Sequence, residues 1–158
     1  MNGEYESKFN DCKLELEKIK QWINNNKLDT NVKFLVSYSV IRACGTIEFV
    51  FKQIIFNYLL DDNTKEDTVN YLNIQIIDSS CNPGTGNIER MLELINTSKK
   101  QAFSERIKGT NEKGDLKSLV NLRNDFAHGR DITSSINDVI KYYLSSCIVL
   151  QWLIEVLS

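Results

Sequence analysis

The stretch INDVIKYYLSSCIVLQWLIEVL, residues 136–157, reads as one long helix. Ile136, Ile140, Tyr143, Cys147, Leu150, Ile154 and Leu157 follow one another at alternating steps of four and three residues. That spacing lines one face of an α-helix and no strand has it. Val139, Leu144, Val149, Leu153 and Val156 cover other sides, and Ser134 or Ser135 is placed to cap the start. Immediately upstream, a shorter helix is predicted to open at Asp115 and to stop at Gly129, where a left-handed residue belongs. Its apolar stripe is Leu116, Leu119, Val120, Arg123, Phe126 and Ala127. An arginine therefore stands where a leucine is expected. A guanidinium keeps its proton and is costly to bury alone, so it has to meet a carboxylate or an anionic ligand.

The same periodicity organises the rest of the chain. A first amphipathic helix is predicted over residues 4–24 through Phe9, Cys12, Leu16, Ile19 and Ile23, with Trp22 beside that face. Asp29 or Thr30 caps a long second helix to about Leu60, with Val40, Cys44, Ile47, Phe51, Ile54 and Tyr58 along its centre. A third helix runs from Thr64 to about Ile77, and DSSCNPGTGN, residues 78–87, is a loop. Asn87 is the expected cap of a short helix from Ile88 to Ile95. Residues 96–114 read as a polar section holding a helical turn around Ala102–Ile107. No repeat or linker divides the chain. The expected fold is a single all-α domain over residues 1–158, an antiparallel helical bundle built on the two long helices with shorter helices beside them.

Composition agrees. The chain has 158 residues, 42% of them hydrophobic and 25% charged, the balance of a soluble globular domain. One proline and seven glycines leave little punctuation for a many-stranded fold. A net charge of −2 argues against a protein that coats DNA electrostatically, although residues 89–130 carry nine basic against six acidic side chains. Cys12, Cys44, Cys81 and Cys147 form no CxxC pair and, with a single histidine present, no metal site and no cofactor are expected. The charged first residues lack the apolar run of a signal peptide. Residues 34–59 are interrupted by Arg42, Glu48 and Lys52 and are too polar for a confident membrane span, so a reducing cytoplasm is the expected location.

Chemistry concentrates in LRNDFAHG, residues 122–129, which contains the only histidine, His128. A histidine at a helix end stays near solvent and carries protons at neutral pH. Arginine and histidine together suit phosphodiester chemistry. The guanidinium binds phosphate in a bidentate way and stabilises the pentavalent state, while the imidazole moves the proton of a ribose 2′-OH. Such a site cuts RNA and not DNA, because the nucleophile belongs to the substrate. Asn124 projects between Arg123 and His128 and is placed to hold a phosphate oxygen or orient the imidazole. Asp125 points away.

Arg123-Asn-Asp-Phe-Ala-His128, after a short amphipathic helix and before a long C-terminal one, resembles the Arg-x4-6-His signature of HEPN domains. The long second helix with its internal Glu48 and the segment Asn82-Pro-Gly-Thr-Gly-Asn-Ile-Glu-Arg-Met-Leu92 resemble RiboL-PSP-type HEPN proteins, so the likeness covers roughly residues 30–157. The resemblance implies an all-α bundle that dimerises, bringing two Arg–His motifs into one cleft. It implies a metal-independent endoribonuclease of a toxin–antitoxin or anti-phage system, held in check by an antitoxin or another regulatory protein. The alternative it also allows is a non-catalytic module that binds RNA, a nucleotide or a protein partner.

Around the motif, Lys99, Lys100 and Arg106 are candidates for steering RNA, with a solvated polar face as the competing use. Tyr142 and Tyr143 begin the last helix; Tyr143 is a candidate for stacking on a base, against plain core packing. Glu48 is expected to face the motif and pair with Arg123 or Arg42, a supporting role more than a catalytic one.

Overall fold

A computed structural model of the chain describes residues 3–158, without the side chain of Glu4; Met1 and Asn2 of the expected domain lie outside the described residues. The elements are α1 (Gly3–Asn25), α2 (Val32–Leu59), α3 (Glu66–Leu72) continuing into a π-helical segment (Asn73–Ile77), α4 (Thr85–Ile95), α5 (Thr97–Ile107), α6 (Asn111–Ala127) and α7 (Ile136–Leu157). Among the described residues there is no strand.

The two long helices are the centre. From α2, Val40, Cys44, Ile47, Phe51 and Ile54 are buried as their spacing predicts, and from α7 so are Ile136, Ile140, Tyr143, Leu150 and Leu157. Burial on α7 also takes in Val139, Val149 and Leu153, since neighbours pack on more than one side. Phe9, Cys12, Leu16 and Ile23 of α1 close one flank of this pair. Leu116, Leu119 and Val120 of α6 close the other.

Polar contacts fix the directions. Asn57 near the end of α2 donates to the Tyr5 hydroxyl (2.6 Å), and Arg42 earlier in α2 meets Glu15 later in α1 (2.7 Å). These two helices are antiparallel. Asp115 of α6 is buried and accepts from Ser145 (2.7 Å) and Lys141 (3.2 Å) of α7, making the second antiparallel pair. The long helices themselves run parallel. Val32 and Val36 share a cavity with Ile136 and Asn137 at one end, while at the other Lys99 meets both the Leu157 carbonyl (3.2 Å) and the Tyr58 ring (6.0 Å). The chain turns twice between them, because α5 stays at the far end and α6 alone makes the return.

Two boundaries fall where the sequence puts them, and others differ for a local reason. Ser135 caps α7 in a full capping box with Asp138. Gly129, at φ +72, ends α6 through paired bonds from Arg130 N–H to Asp125 O (2.9 Å) and Gly129 N–H to Phe126 O (3.0 Å). The start of α6 is Thr110, whose hydroxyl accepts from Lys113 N–H, and Asp115 lies inside the helix as a buried partner of α7. Likewise α4 begins at Thr85, and Asn87 instead donates from its side chain to Asn82 O (3.0 Å) and Asn82 Oδ1 (2.9 Å). In place of a single turn, residues 97–107 form a complete helix capped by Asn96, which accepts from Ser98 N–H and Lys99 N–H. Its polar sequence has little period of its own. Phe103 and Ile107 are enough to anchor it in the core.

By length and composition, α2 and α7 are each apolar enough to cross a membrane, yet 50% and 39% of their most apolar windows are buried inside the bundle. Core helices have this character, and Arg42 and Lys52 of α2 both find carboxylate partners. Burial pushes the thiols up, to about 11 for Cys44 and about 12 for Cys147, as expected of cysteines used as small apolar fillers.

Two surface carboxylates tie stability to pH. The Ser135 hydroxyl, and then its N–H, hold Asp138 below the usual carboxylate range. The Tyr38 hydroxyl, and then Arg42, do the same for Glu15. A depressed carboxylate contributes stability above its unfolded value and loses it as pH falls through the folded one. Urea midpoints are therefore expected to hold steady down to about pH 5 and to drop below about pH 4. Ser135→Ala should flatten part of that acid limb; an unaltered limb in the variant would refute the assignment.

Candidate active site

The stripe on α6 leaves the core over its last turn. Leu116, Leu119 and Val120 are buried, Arg123 is half-buried, and Phe126 and Ala127 are exposed, Phe126 by 44%. The expectation that the whole stripe is internal is thus corrected: Arg123 marks the boundary between core and solvent. Its Nη1 donates to Asn124 Oδ1 (3.3 Å), and among the described residues no carboxylate pairs with it. The contrast is Arg42, also half-buried, which is neutralised by Glu15 at 2.7 Å. Desolvation raises the Cys44 thiol of α2, and the charge of Arg123, on the helix packed against α2, opposes the rise.

His128 occupies the cap of α6, with its N–H donated to Asn124 O (3.0 Å) and Asp125 O (3.2 Å) and its side chain exposed. The turn through Gly129 fixes the backbone there, while Arg130 pairs with Asp125 (2.8 Å) on the outer side. Arg123, Asn124 and His128 are therefore held by the last two turns of a single helix. The arrangement offers an uncompensated cation, an amide and a solvent-accessible imidazole.

Glu48 does not pair with Arg123 or Arg42. Its Oε1 meets Lys52 Nζ at 2.8 Å, and the same ammonium donates to Ser79 O (2.5 Å) and Ile77 O (3.3 Å). The reason is distance along the helix, since residues four apart on α2 face each other directly. Lys52, one of the most buried charges in the chain, stands out in the sequence only as an interruption, although its spacing from Glu48 carries the signal.

Tyr143 is fully buried and donates to Phe9 O at 2.9 Å, so it stacks on no base; the helical seam that recommended it also drew it into the core. Tyr142 is the half-exposed neighbour, with Lys141 Nζ 5.7 Å from its ring. The three basic candidates are engaged within the chain. Lys99 caps the Leu157 carbonyl (3.2 Å), Lys100 meets Glu93 (3.2 Å), and Arg106 meets Glu155 (3.3 Å) and lies 5.4 Å from the Trp152 ring. Lys99 and Arg106 thus sit at the end of α7 away from the motif, about 30 Å from its start at 1.5 Å per helical residue. Among the described residues no group of three His, Cys, Asp or Glu is clustered for a metal ion.

No curated protein and no solved structure matches the chain. A family model described as RiboL-PSP-HEPN matches residues 7–158, from early in α1 to the last residue. That span takes in the Arg–His helix and both long helices, and the chain belongs to the RiboL-PSP-HEPN family.

Proposed function

We propose that the chain is a metal-independent endoribonuclease acting as a homodimer, with two Arg–His motifs in one cleft. The observation that carries this is Arg123, half-buried, without a carboxylate partner among the described residues, and on the same helix end as an exposed histidine. A cation left in that state stabilises nothing in the fold and is available to an anion. In the reaction, neutral imidazole of His128 takes the proton of the ribose 2′-OH as the oxygen bonds to phosphorus. The bond to the 5′-oxygen breaks, that oxygen takes the proton from the imidazolium so formed, and the products are a 2′,3′-cyclic phosphate and a 5′-OH end. Arg123 holds the non-bridging oxygens as charge accumulates, and Asn124 keeps the guanidinium in place. A toxin or anti-phage effector restrained by an antitoxin or regulatory protein is the setting that suits such an activity.

The test is incubation of purified protein with single-stranded RNA in EDTA. Cleavage leaving cyclic-phosphate ends, lost in both Arg123→Ala and His128→Ala, supports the proposal, as does growth arrest on expression that either substitution relieves. Binding without cleavage by the intact protein overturns it. A monomer at every concentration overturns the shared cleft. One observation favours a second reading, a non-catalytic RNA- or protein-binding module: Lys99, Lys100 and Arg106 are spent on internal partners, which leaves less basic surface for an RNA substrate.

A further inference from the structure

Away from the Arg–His motif, α1 and the start of α2 enclose a groove of about 490 Å³, lined by Lys18, Ile19, Trp22, Asn31, Phe34 and Leu35. That volume is within the roughly 300–1,000 Å³ of ligand sites. Ile19 and Leu35 form a half-buried apolar floor. Trp22 and Phe34 stand over it, 39% and 62% exposed, two large rings left in water.

The polar groups at this groove are unspent. Asn31 occupies the cap position of α2, yet its side chain makes no capping bond; its N–H donates to Asp29 Oδ1 (2.7 Å) and its carbonyl accepts from Leu35 N–H (3.0 Å). Lys18 has no carboxylate within ion-pair distance among the described residues. Lys33 belongs to the neighbouring cavity and covers one face of the Phe34 ring, its Nζ 5.0 Å from the centroid, which leaves the other face to the groove. Stacking rings, a free amide and the Lys18 ammonium together fit a flat heterocycle carrying a phosphate. An aliphatic guest leaves the amide and the charge unused.

We propose that this groove binds one nucleotide of single-stranded RNA. The base lies against Trp22 and Phe34, its edge meets the Asn31 amide, and its phosphate meets Lys18. The choice of a strand over a free nucleotide rests on the ribonuclease reading above. It is supported by continuity along α2, where Phe34, Tyr38 and Ile41 are exposed at steps of four and three residues on one face. The helix that carries Arg123 packs against α2, so a strand lying along this face of α2 runs from the groove toward the motif.

Binding is read in the His128→Ala protein with fluorescein-labelled oligoadenylate, since an asparagine amide matches the donor–acceptor edge of adenine. Trp22 emission is followed in a Trp152→Phe background, which removes the other tryptophan. The expected result is quenching of Trp22 on binding and a loss of about tenfold in affinity in Trp22→Ala and in Phe34→Ala, with adenosine monophosphate competing weakly. Both rings are exposed, so melting temperatures should stay near that of the parent protein. Absence of quenching, or unchanged affinity in both variants, overturns the proposal. Mononucleotide binding as tight as that of the oligomer overturns the assignment to a strand. Altered sedimentation of Trp22→Ala with unchanged RNA affinity assigns the face to a second copy of the chain and also overturns it. Cleavage is scored separately in the protein with His128 intact: quenching without cleavage overturns the ribonuclease reading alone, and cleavage without quenching overturns this one alone.

Discussion

Arg123→Met is expected to yield a more stable protein that no longer cleaves RNA. The arginine continues the stripe of Leu116, Leu119 and Val120, and its half-buried charge is met only by an amide oxygen. Methionine has a similar length, fits an irregular apolar boundary and carries no charge to desolvate. The gain should be about 1 kcal/mol, which raises the melting temperature of a chain this size by roughly 2–4 °C. Loss of a preorganised donor to the transferring phosphoryl group should lower the cleavage rate by about 10²–10³. Arg123→Lys separates charge from geometry. An ammonium keeps the positive charge and loses the two-pronged fork, so most of the activity should still disappear. Urea denaturation and cleavage assays on the three proteins decide the matter. An Arg123→Met protein that is less stable and still active would sink the idea that this side chain is held for a ligand.

Lys52→Ala should have the largest effect on stability of any single charge removed. The ammonium ties Glu48 of α2 to the carbonyls of Ile77 and Ser79, where the π-helical segment ends. Removing it strands a largely buried carboxylate and two acceptors. Breaking a buried pair in this one-sided way costs about 3 kcal/mol, equivalent to roughly 6–12 °C in melting temperature. Glu48→Gln should be much milder, about 1 kcal/mol, because the amide oxygen still accepts from Lys52. Its cleavage activity should stay within a few-fold of the parent, since the carboxylate is occupied in the fold. A large loss of activity in a stable Glu48→Gln protein would move Glu48 from the scaffold into the chemistry. The double variant Lys52→Met with Glu48→Leu should recover part of the single loss, and the cycle measures their coupling.

Arg123 and Lys52 differ in how plainly the sequence marks them. Arg123 is conspicuous from residue spacing alone, because a charge on an apolar stripe breaks a local period. Lys52 is not, since three charges interrupt the same helix and periodicity does not rank them. Burial and two carbonyls from another segment single it out. Tyr143 shows the converse. Its place on the helical seam correctly implies a core position, and its nearness in sequence to the motif suggests a base-stacking role that its burial excludes.

The sequence by itself determined the long helices, a serine cap at 134 or 135 for the last of them, the left-handed stop at Gly129 and the Arg123–His128 constellation. All of these are set by neighbours within about two turns, where spacing and local hydrogen bonding decide. Tertiary structure alone decided that α2 and α7 run parallel, that residues 97–107 are a helix, and that Lys99, Lys100 and Arg106 are spent on internal partners. It also left Arg123 without a carboxylate among the described residues. Each of those outcomes turns on which distant group a side chain meets. A cation in a chain with many carboxylates has many possible partners, and only packing selects one or withholds them all.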